Sequence, residues 1–355
     1  MKSVQRISLS LFFGLMLMSQ PAGAQWVHTN GPYGGLTSAL GVNPNAVGGT
    51  TIFVGTLAGG NFRSTNNGAT WTASSNGLSF GGIYFGATAF AAKGTSMFAG
   101  TAAGVYLTTD NGITWTATAL ASSIQFLIVN GNDLFAGTSS AGVYRSTNNG
   151  TSWTQLNSGL TATRVNALVV SGTSMFAGTE TAGTFVTTNG ETSWSPSNAG
   201  IAILAVKALA VNGTTLFAGS LSGIYRSTNG GANWSSVSTH ITNALLVNGT
   251  SIYAAGSGVV ASSDNGNSWT PVNTGLTSSL LLLLSLAANG PTLFAGGASY
   301  RAGVYVSSNG GALWSESHNG ILATHIRSFK ARLNGSGGHD LFAGGERERR
   351  VSLHK

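Results

Sequence analysis

The sequence contains no cysteine, and only 7% of its residues are charged. The absence of cysteine excludes a disulfide framework and a lipid anchor attached through a thiol. Ordinary domains carry roughly 25% charged residues, and glycine, serine, threonine and asparagine take their place here. Because apolar residues still make up 42% of the chain, the composition is not that of a disordered protein and indicates a fold with many tight turns.

Charge of either sign is scarce over most of the chain. The formal net charge is +7, but part of the basic excess lies in the first 24 residues and after Gly345. Residues 25–345 hold 10 basic and 7 acidic groups, a net charge of +3. No basic stripe is left that would follow a nucleic-acid backbone, so we expect no nucleic-acid partner.

The sequence also lacks an apolar run long enough to span a membrane. The run from Ile7 to Met18 is short, follows a basic start and precedes the small residues Ala22-Gly23-Ala24. This pattern predicts a signal peptide over residues 1–24 and a secreted, cell-surface or periplasmic chain that begins at Gln25. A second short run, Leu280 to Leu284, is expected to form a buried strand.

What the sequence does contain is an eight-residue motif, Ser/Thr-x-Asp/Asn-x-Gly-x-x-Trp, in seven copies 35 to 45 residues apart. The hydroxyl and the Asp or Asn side chain favour a tight turn, the glycine permits positive φ, and the tryptophan supplies a large apolar plug. In the fourth copy Glu191 stands where glycine belongs. The motif residues are Asn66, Gly68, Trp71, Asp110, Gly112, Trp115, Asn148, Gly150, Trp153, Asn189, Trp194, Asn229, Gly231, Trp234, Asp264, Gly266, Trp269, Asn309, Gly311 and Trp314.

A repeat of about forty residues fits four short strands and predicts an all-β propeller. In the third unit the strands are expected at 124–129, 134–138, 143–146 and 153–156. The second-strand phrase, such as Leu-Phe-Ala-Gly-Thr, occurs eight times against seven motifs. We therefore predict eight blades, seven complete and one composite that the N-terminal strand closes, with seven blades as the alternative.

The motif resembles the Asp-box, or bacterial neuraminidase repeat, of sialidase, sortilin-type and photosystem II assembly-factor propellers. The resemblance covers residues 25–345 and implies a propeller fold, but it implies no single activity because those relatives do unrelated things. Five of the seven copies carry asparagine in place of aspartate. Because calcium binding needs several carboxylates, we interpret the motif as a turn that seats a tryptophan and expect no metal and no cofactor.

The residues that sialidase activity would require are missing. The Arg-Ile-Pro motif is absent, and Arg63, Arg145 and Arg226 share one repeat position, which would place them on different blades rather than in one clamp. Glycosidases need a pair of carboxylates, yet only Glu180 is expected in a loop after a second strand. We therefore predict that the protein is not an enzyme, with a sialidase-like glycoside hydrolase as the alternative.

Binding is the function that the sequence favours, and the loops that depart from the repeat are the candidate sites. These candidates are Glu180, the loop residues Tyr300 and Arg301, and the aromatic residues Phe80 and Tyr84. The expected partner is a glycan or a surface protein or polymer, bound by a monomeric scaffold. An assembly factor resembling the photosystem II type is a further alternative.

Residues 346–355 break the repeat with a run of charges. One codon choice for this tail, read one nucleotide on, encodes a third strand and the start of another motif. We interpret the tail as a frame-slipped reading of a longer gene, with a natural charged tail as the alternative. The genomic nucleotide sequence tests this hypothesis.

Overall fold

The computed structural model describes residues 37–44, 50–56, 60–66, 70–79, 86–188, 193–276, 282–289, 291–297, 304–316, 325–333 and 339–346. The described chain consists of thirty β-strands joined by turns. None of it forms a helix that could span a bilayer. The predicted signal peptide and nearly all of the charged tail lie outside these residues, although Glu346 is the last residue of a strand.

The strands group into eight antiparallel sheets, numbered 1 to 8 along the chain. Sheet 1 holds β1 Thr37–Pro44, β2 Thr50–Thr56, β3 Gly60–Ser64 and β4 Thr72–Ala73, and sheet 2 holds β5 Ala89–Lys93, β6 Ser96–Gly100, β7 Val105–Thr108 and β8 Thr116–Ala117. Sheet 3 holds β9 Ile124–Asn130, β10 Asp133–Thr138, β11 Val143–Ser146 and β12 Thr154–Gln155, and sheet 4 holds β13 Val165–Ser171, β14 Ser174–Thr179, β15 Thr184–Thr188 and β16 Ser195–Pro196. Sheet 5 holds β17 Val206–Asn212, β18 Thr215–Ser220, β19 Gly223–Ser227 and β20 Ser235–Ser238, and sheet 6 holds β21 Thr242–Asn248, β22 Ser251–Gly256, β23 Gly258–Ser262 and β24 Thr270–Pro271. Sheet 7 holds β25 Leu283–Asn289, β26 Thr292–Gly297, β27 Val304–Ser307 and β28 Ser315–Glu316, and sheet 8 holds β29 His325–Leu333 and β30 His339–Glu346.

Sheets 1 to 7 are four-stranded meanders in which each strand pairs with the next one along the chain. In the third unit the observed strands match the predicted ones within a residue or two. The fourth strand, Thr154–Gln155, starts one residue after the tryptophan rather than at it. All eight copies of the second-strand phrase lie on the second strands of the eight sheets.

The second strand of each sheet carries the core. In β10 and β14 every residue after the first is buried, because both faces of these strands are covered by neighbouring sheets. The glycine of the phrase lets the next sheet approach: a Cβ at Gly100 would lie 2.4 Å from the Ile124 side chain, and one at Gly178 would lie 2.6 Å from Val206.

The first strands of successive sheets contact one another in chain order, and β1 of sheet 1 contacts β29 and β30 of sheet 8. The sheets therefore stand around a ring, which is the arrangement of a β-propeller. The N-terminal strand predicted to complete sheet 8 lies outside the described residues. The composite blade and the count of eight blades accordingly stay predictions.

Antiparallel pairing gives the ring two distinct faces. One face holds the turns between first and second strands and the motif turns between third and fourth strands; we call it the Asp-box face. The opposite face holds the turns between second and third strands and the segments that cross from one sheet to the next; we call it the crossing face. Loops that differ among the sheets lie on the crossing face.

Candidate functional site

The Asp-box motif forms a closed hydrogen-bonded turn on the Asp-box face. In the third copy the Gly150 amide donates to the Ser146 hydroxyl (2.8 Å), and the Ser152 amide donates to Asn148 Oδ1 (2.9 Å). The Ser146 hydroxyl in turn donates to Asn148 Oδ1 (3.0 Å). Each side chain is thus used inside its own turn, as in an Asx turn.

The two copies that keep an acid use it in the same way. Burial raises the pKa of Asp110, but hydrogen bonds from Thr114 and Thr108 outweigh it and lower the pKa to about 2. Hydrogen bonds from Ser268 and Ser262 likewise lower the pKa of Asp264. Both carboxylates are ionised acceptors at neutral pH, and neither can serve as a proton donor.

In five copies of the motif the tryptophan that follows the turn donates its indole N–H to the preceding sheet. The indole N–H of Trp234 donates to the Ser197 carbonyl (2.6 Å), and that of Trp314 donates to the Val272 carbonyl (2.7 Å). The acceptor residue in each case lies three positions after the previous tryptophan. The other pairs of this kind are Trp115 with Ser74, Trp153 with Thr118, and Trp194 with Leu156.

Trp269 departs from this pattern, because its buried indole N–H has no hydrogen-bond partner among the described residues. The equivalent acceptor position is Val237, where the register of β20 against β19 shifts between Ser236 and Ser238. The irregularity therefore falls at the position where the other junctions supply the acceptor, and valine has no hydroxyl that could accept instead.

The three arginines that share one repeat position lie on β3, β11 and β19 and bind separate partners. Arg63 donates to the Asn111 carbonyl (2.8 Å), and Arg226 donates to Asn267 Oδ1 (2.9 Å). Arg145 forms an ion pair with Asp133, with 2.6 Å between Nη2 and Oδ2. They do not converge on one point, so they form no carboxylate clamp.

Glu180 is the predicted site residue that the structure describes best, and it lies at the end of β14 on the crossing face. Lys207 of sheet 5 donates to both of its carboxylate oxygens (2.8 and 2.9 Å), and Asn166 donates to one (2.6 Å). The bonds from Lys207 and Asn166, with the nearby charge of Arg164, lower the pKa of Glu180. The carboxylate is therefore ionised, paired and unsuited to act as a general acid.

The other ligand-binding candidates cannot be placed. Phe80, Tyr84, Tyr300 and Arg301 lie outside the described residues, as do Gly68 and Asn189 of the motif. Within the described chain no three His, Asp or Glu residues cluster as a metal site would require. The four described carboxylates outside sheets 7 and 8, Asp110, Asp133, Asp264 and Glu180, all have hydrogen-bond or ion-pair partners.

The crossing face also carries a feature that sequence reasoning missed. Seven large aliphatic side chains are exposed in the described chain, and five of them belong to this face around sheets 5 to 7. We call these five the apolar arc: Ile203, Leu204, Leu221, Ile241 and Leu282. Comparing equivalent positions of the repeats could have found them, because they replace polar or small residues in turns. The prediction of a buried strand from Leu280 to Leu284 is wrong at Leu282, which is 44% exposed because β25 begins only at Leu283.

The segments that carry Ile203, Leu221 and Ile241 adjoin one another. The Tyr225 hydroxyl is 3.3 Å from the Ala202 amide and 3.0 Å from the Ser222 hydroxyl, which joins the segment of Ile203 to the turn of Leu221. On the other side, a Cβ at Gly219 would lie 2.4 Å from the side chain of Thr242, the residue after Ile241. Exposed apolar groups that cluster in this way mark interaction sites, whereas scattered ones are ordinary.

Comparisons with known proteins agree with this architecture. The model of the BNR/Asp-box repeat matches residues 106–117, the second copy of the motif. The chain carries Asp-box repeats on a β-propeller. No curated protein matches its sequence.

The similar solved structures share the fold at low sequence identity. YCF48 bound to D1 peptide is 14% identical, with 89% of this chain and 91% of that chain covered and a TM-score of 0.58. The computationally designed Ika8 protein is 13% identical, with 89% and 95% covered and a TM-score of 0.63. The GH74 xyloglucanase from Xanthomonas campestris is 17% identical, with 90% of this chain but 59% of that chain covered and a TM-score of 0.59. Since these proteins differ in what they do, the likeness concerns the fold alone.

Proposed function

We propose that this protein is a secreted or cell-surface binding scaffold that holds its partner on the crossing face and performs no catalysis. The observation that carries the proposal is the apolar arc, which gathers most of the exposed aliphatic side chains on one part of one face. An exposed apolar patch lowers the solubility of a protein that has no partner to cover it, and such patches are typical of interaction sites.

The state of Glu180 supports a role without catalysis. A glycosidase needs a protonated carboxyl group and a second carboxylate about 5 to 10 Å away. Glu180 is instead paired with Lys207 and has a lowered pKa. We therefore propose that the surface around Glu180 recognises a partner through charge and apolar contact.

Glycoside hydrolysis is the alternative, and the likeness to a GH74 xyloglucanase is the observation in its favour. The full chain should be assayed with xyloglucan and with a fluorogenic sialoside, and printed on glycan arrays in parallel. We expect no turnover. Turnover that Glu180→Gln abolishes would overturn the proposal, whereas glycan binding without turnover would support a scaffold.

A protein partner is the expectation that YCF48 supports, because that propeller was solved with a peptide bound. An assembly factor is a special case of such a scaffold. Export is a separate part of the proposal, since it rests on residues 1–24. Fusing these residues to a reporter that is active only outside the cytoplasm tests it, and an inactive fusion would argue against export.

A further inference from the structure

We propose that the apolar arc, together with Arg164 beside it, binds a polypeptide segment that carries both leucine or isoleucine side chains and acidic ones. This inference rests on the proposed scaffold function and names the chemistry of its partner. Three properties of the crossing face support it: the kind of apolar side chain, the local charge and the contact between the two regions.

The first property is that the exposed large apolar side chains of the described chain are all aliphatic. Leu221, in the turn between β18 and β19, is 51% exposed, and Ile241, directly before β21, is 39% exposed. Aliphatic surface leaves water most favourably against other apolar groups. A sugar presents hydroxyls at most of its positions, so an aliphatic peptide side chain matches this surface better than a glycan does.

The second property is a positive charge that has no ion-pair partner among the described residues. Lys207 and Glu180 neutralise each other, with 2.8 Å between Nζ and Oε1. Arg164 is exposed and adjoins Glu180, because its carbonyl accepts the Glu180 backbone N–H (3.1 Å). The three groups together therefore carry a net positive charge, and an acidic side chain on the partner would complement it.

The third property is that the charged group and the apolar arc adjoin. The Gly183 amide, in the turn that follows Glu180, donates to the Leu204 carbonyl (2.8 Å). Lys207 lies three residues after Leu204 on the first strand of sheet 5. One bound segment can therefore contact the charge near Glu180 and the aliphatic side chains of sheets 5 and 6.

The test uses random twelve-residue peptides displayed on phage, selected against the full chain. We expect the selected peptides to be enriched in Asp or Glu together with Leu or Ile. A fluorescein-labelled copy of the most enriched peptide should bind about tenfold or more weakly to the double variant Leu221→Ser, Ile241→Ser. Arg164→Glu should weaken binding and reduce its dependence on salt.

The matched control is Ile113→Ser with Leu313→Ser. These two side chains are 57% and 55% exposed, at least as much as those of the arc, but they belong to motif turns on the Asp-box face. Binding should be unchanged in this variant. Substitution of exposed side chains should leave the fold intact, which circular dichroism and thermal midpoints check.

Several results would overturn the inference. They are selection of no peptide, selection of basic peptides, and equal binding by the two double variants. Binding to vesicles of phosphatidylcholine and phosphatidylserine that Leu221→Ser with Ile241→Ser abolishes would assign the arc to a membrane instead. Glycan binding without peptide binding would contradict this inference but agree with the proposed scaffold function. Hydrolysis of xyloglucan or of the sialoside would contradict the proposed scaffold function itself.

Discussion

The junction between sheets 4 and 5 and the junction between sheets 5 and 6 contain the same motif but bury it differently. Residues 197–205 cross to sheet 5, and Trp234 of that sheet is 3% exposed, with its indole N–H bound to Ser197. Residues 239–241 alone cross to sheet 6. There Trp269 is half-buried, and its indole N–H has no partner among the described residues.

The difference shows that the crossing, rather than the motif, covers the tryptophan. In the long crossing Ala199 accepts the backbone N–H of Trp234 (2.7 Å), and Gly200 approaches the Trp234 carbonyl so closely that a Cβ there has no room. Among the described crossings, the same contact occurs in all four that contain Asn, one residue and Gly, or Asn and Gly alone. The tryptophans of those junctions, Trp115, Trp194, Trp234 and Trp314, are all buried.

The largest expected effect is a difference in the free energy of unfolding between the alanine variants of Trp234 and Trp269. Trp234→Ala should lower the free energy of unfolding by about 3 to 5 kcal/mol, as removal of a fully buried tryptophan does. Trp269→Ala should cost roughly half as much, because its ring is half-buried and its N–H forms no bond within the described chain. Urea unfolding of both variants measures the difference, and equal losses would break the comparison.

The next effect compares two neighbouring glycines of the motif before Trp234. Gly231 has a φ of 80° and lies against the preceding sheet, where a Cβ would be 2.4 Å from the Ser197 hydroxyl oxygen. Gly230 has a φ of 65° and open space around it. Gly231→Asn should cost about 1 to 3 kcal/mol through the clash.

Gly230→Asn is the matched control. Asparagine already occupies the equivalent position in other copies, as Asn149 with a φ of 57° and Asn265 with a φ of 57°. It should therefore change the free energy of unfolding by less than about 1 kcal/mol. A large loss in this variant would show that the turn tolerates no side chain at either position.

The repeat architecture could be predicted from the sequence because the same physical pattern recurs seven times. The third strand at Val143–Ser146, the apolar phrase at Leu134 and the glycine of the turn each point to the same unit. Local rules that agree with one another make a fold easy to recognise. The unequal burial of Trp234 and Trp269 was not predicted, because it depends on a crossing whose length varies.

The candidate site was harder to predict, because it depends on contacts between sheets. Glu180 follows a second strand, as the sequence predicts, but its partner Lys207 is 27 residues away on the next sheet. The apolar arc was missed since single leucines in turns carry no local signal. Only the packing of Gly219 against Thr242 shows that the turn of Leu221 adjoins the crossing that carries Ile241.

A smaller effect should come from restoring the missing acceptor of Trp269. Thr118 Oγ1 accepts the indole N–H of Trp153 at 3.2 Å, and Val237 occupies the equivalent position. Val237→Thr should therefore stabilise the chain by about 0.5 to 1.5 kcal/mol, the net value of one hydrogen bond. Differential scanning calorimetry would detect the shift in melting temperature.

Val272→Thr is the control for this exchange, because Trp314 already donates to the Val272 carbonyl at 2.7 Å. It should bring no gain. The reverse exchange, Thr118→Val, should remove the acceptor from Trp153 and lower stability by a similar amount. If Val237→Thr and Val272→Thr both raised the melting temperature, the new hydroxyl would stabilise the chain by some contact other than a hydrogen bond with the indole.

The smallest expected effect is a pH dependence at the short crossing. Burial lowers the pKa of His240, although its hydrogen bond to the Gly258 backbone acts in the opposite direction, and Nε2 has no partner among the described residues. Because the folded pKa lies below that of the unfolded chain, the neutral side chain favours folding at pH 7, and this contribution is lost as the pH falls below about 6.5. In the variant His240→Asn, the urea midpoint of unfolding should fall less between pH 7 and pH 5 than in the unsubstituted protein. If the midpoint fell as steeply in the variant, groups other than His240 would set the pH dependence.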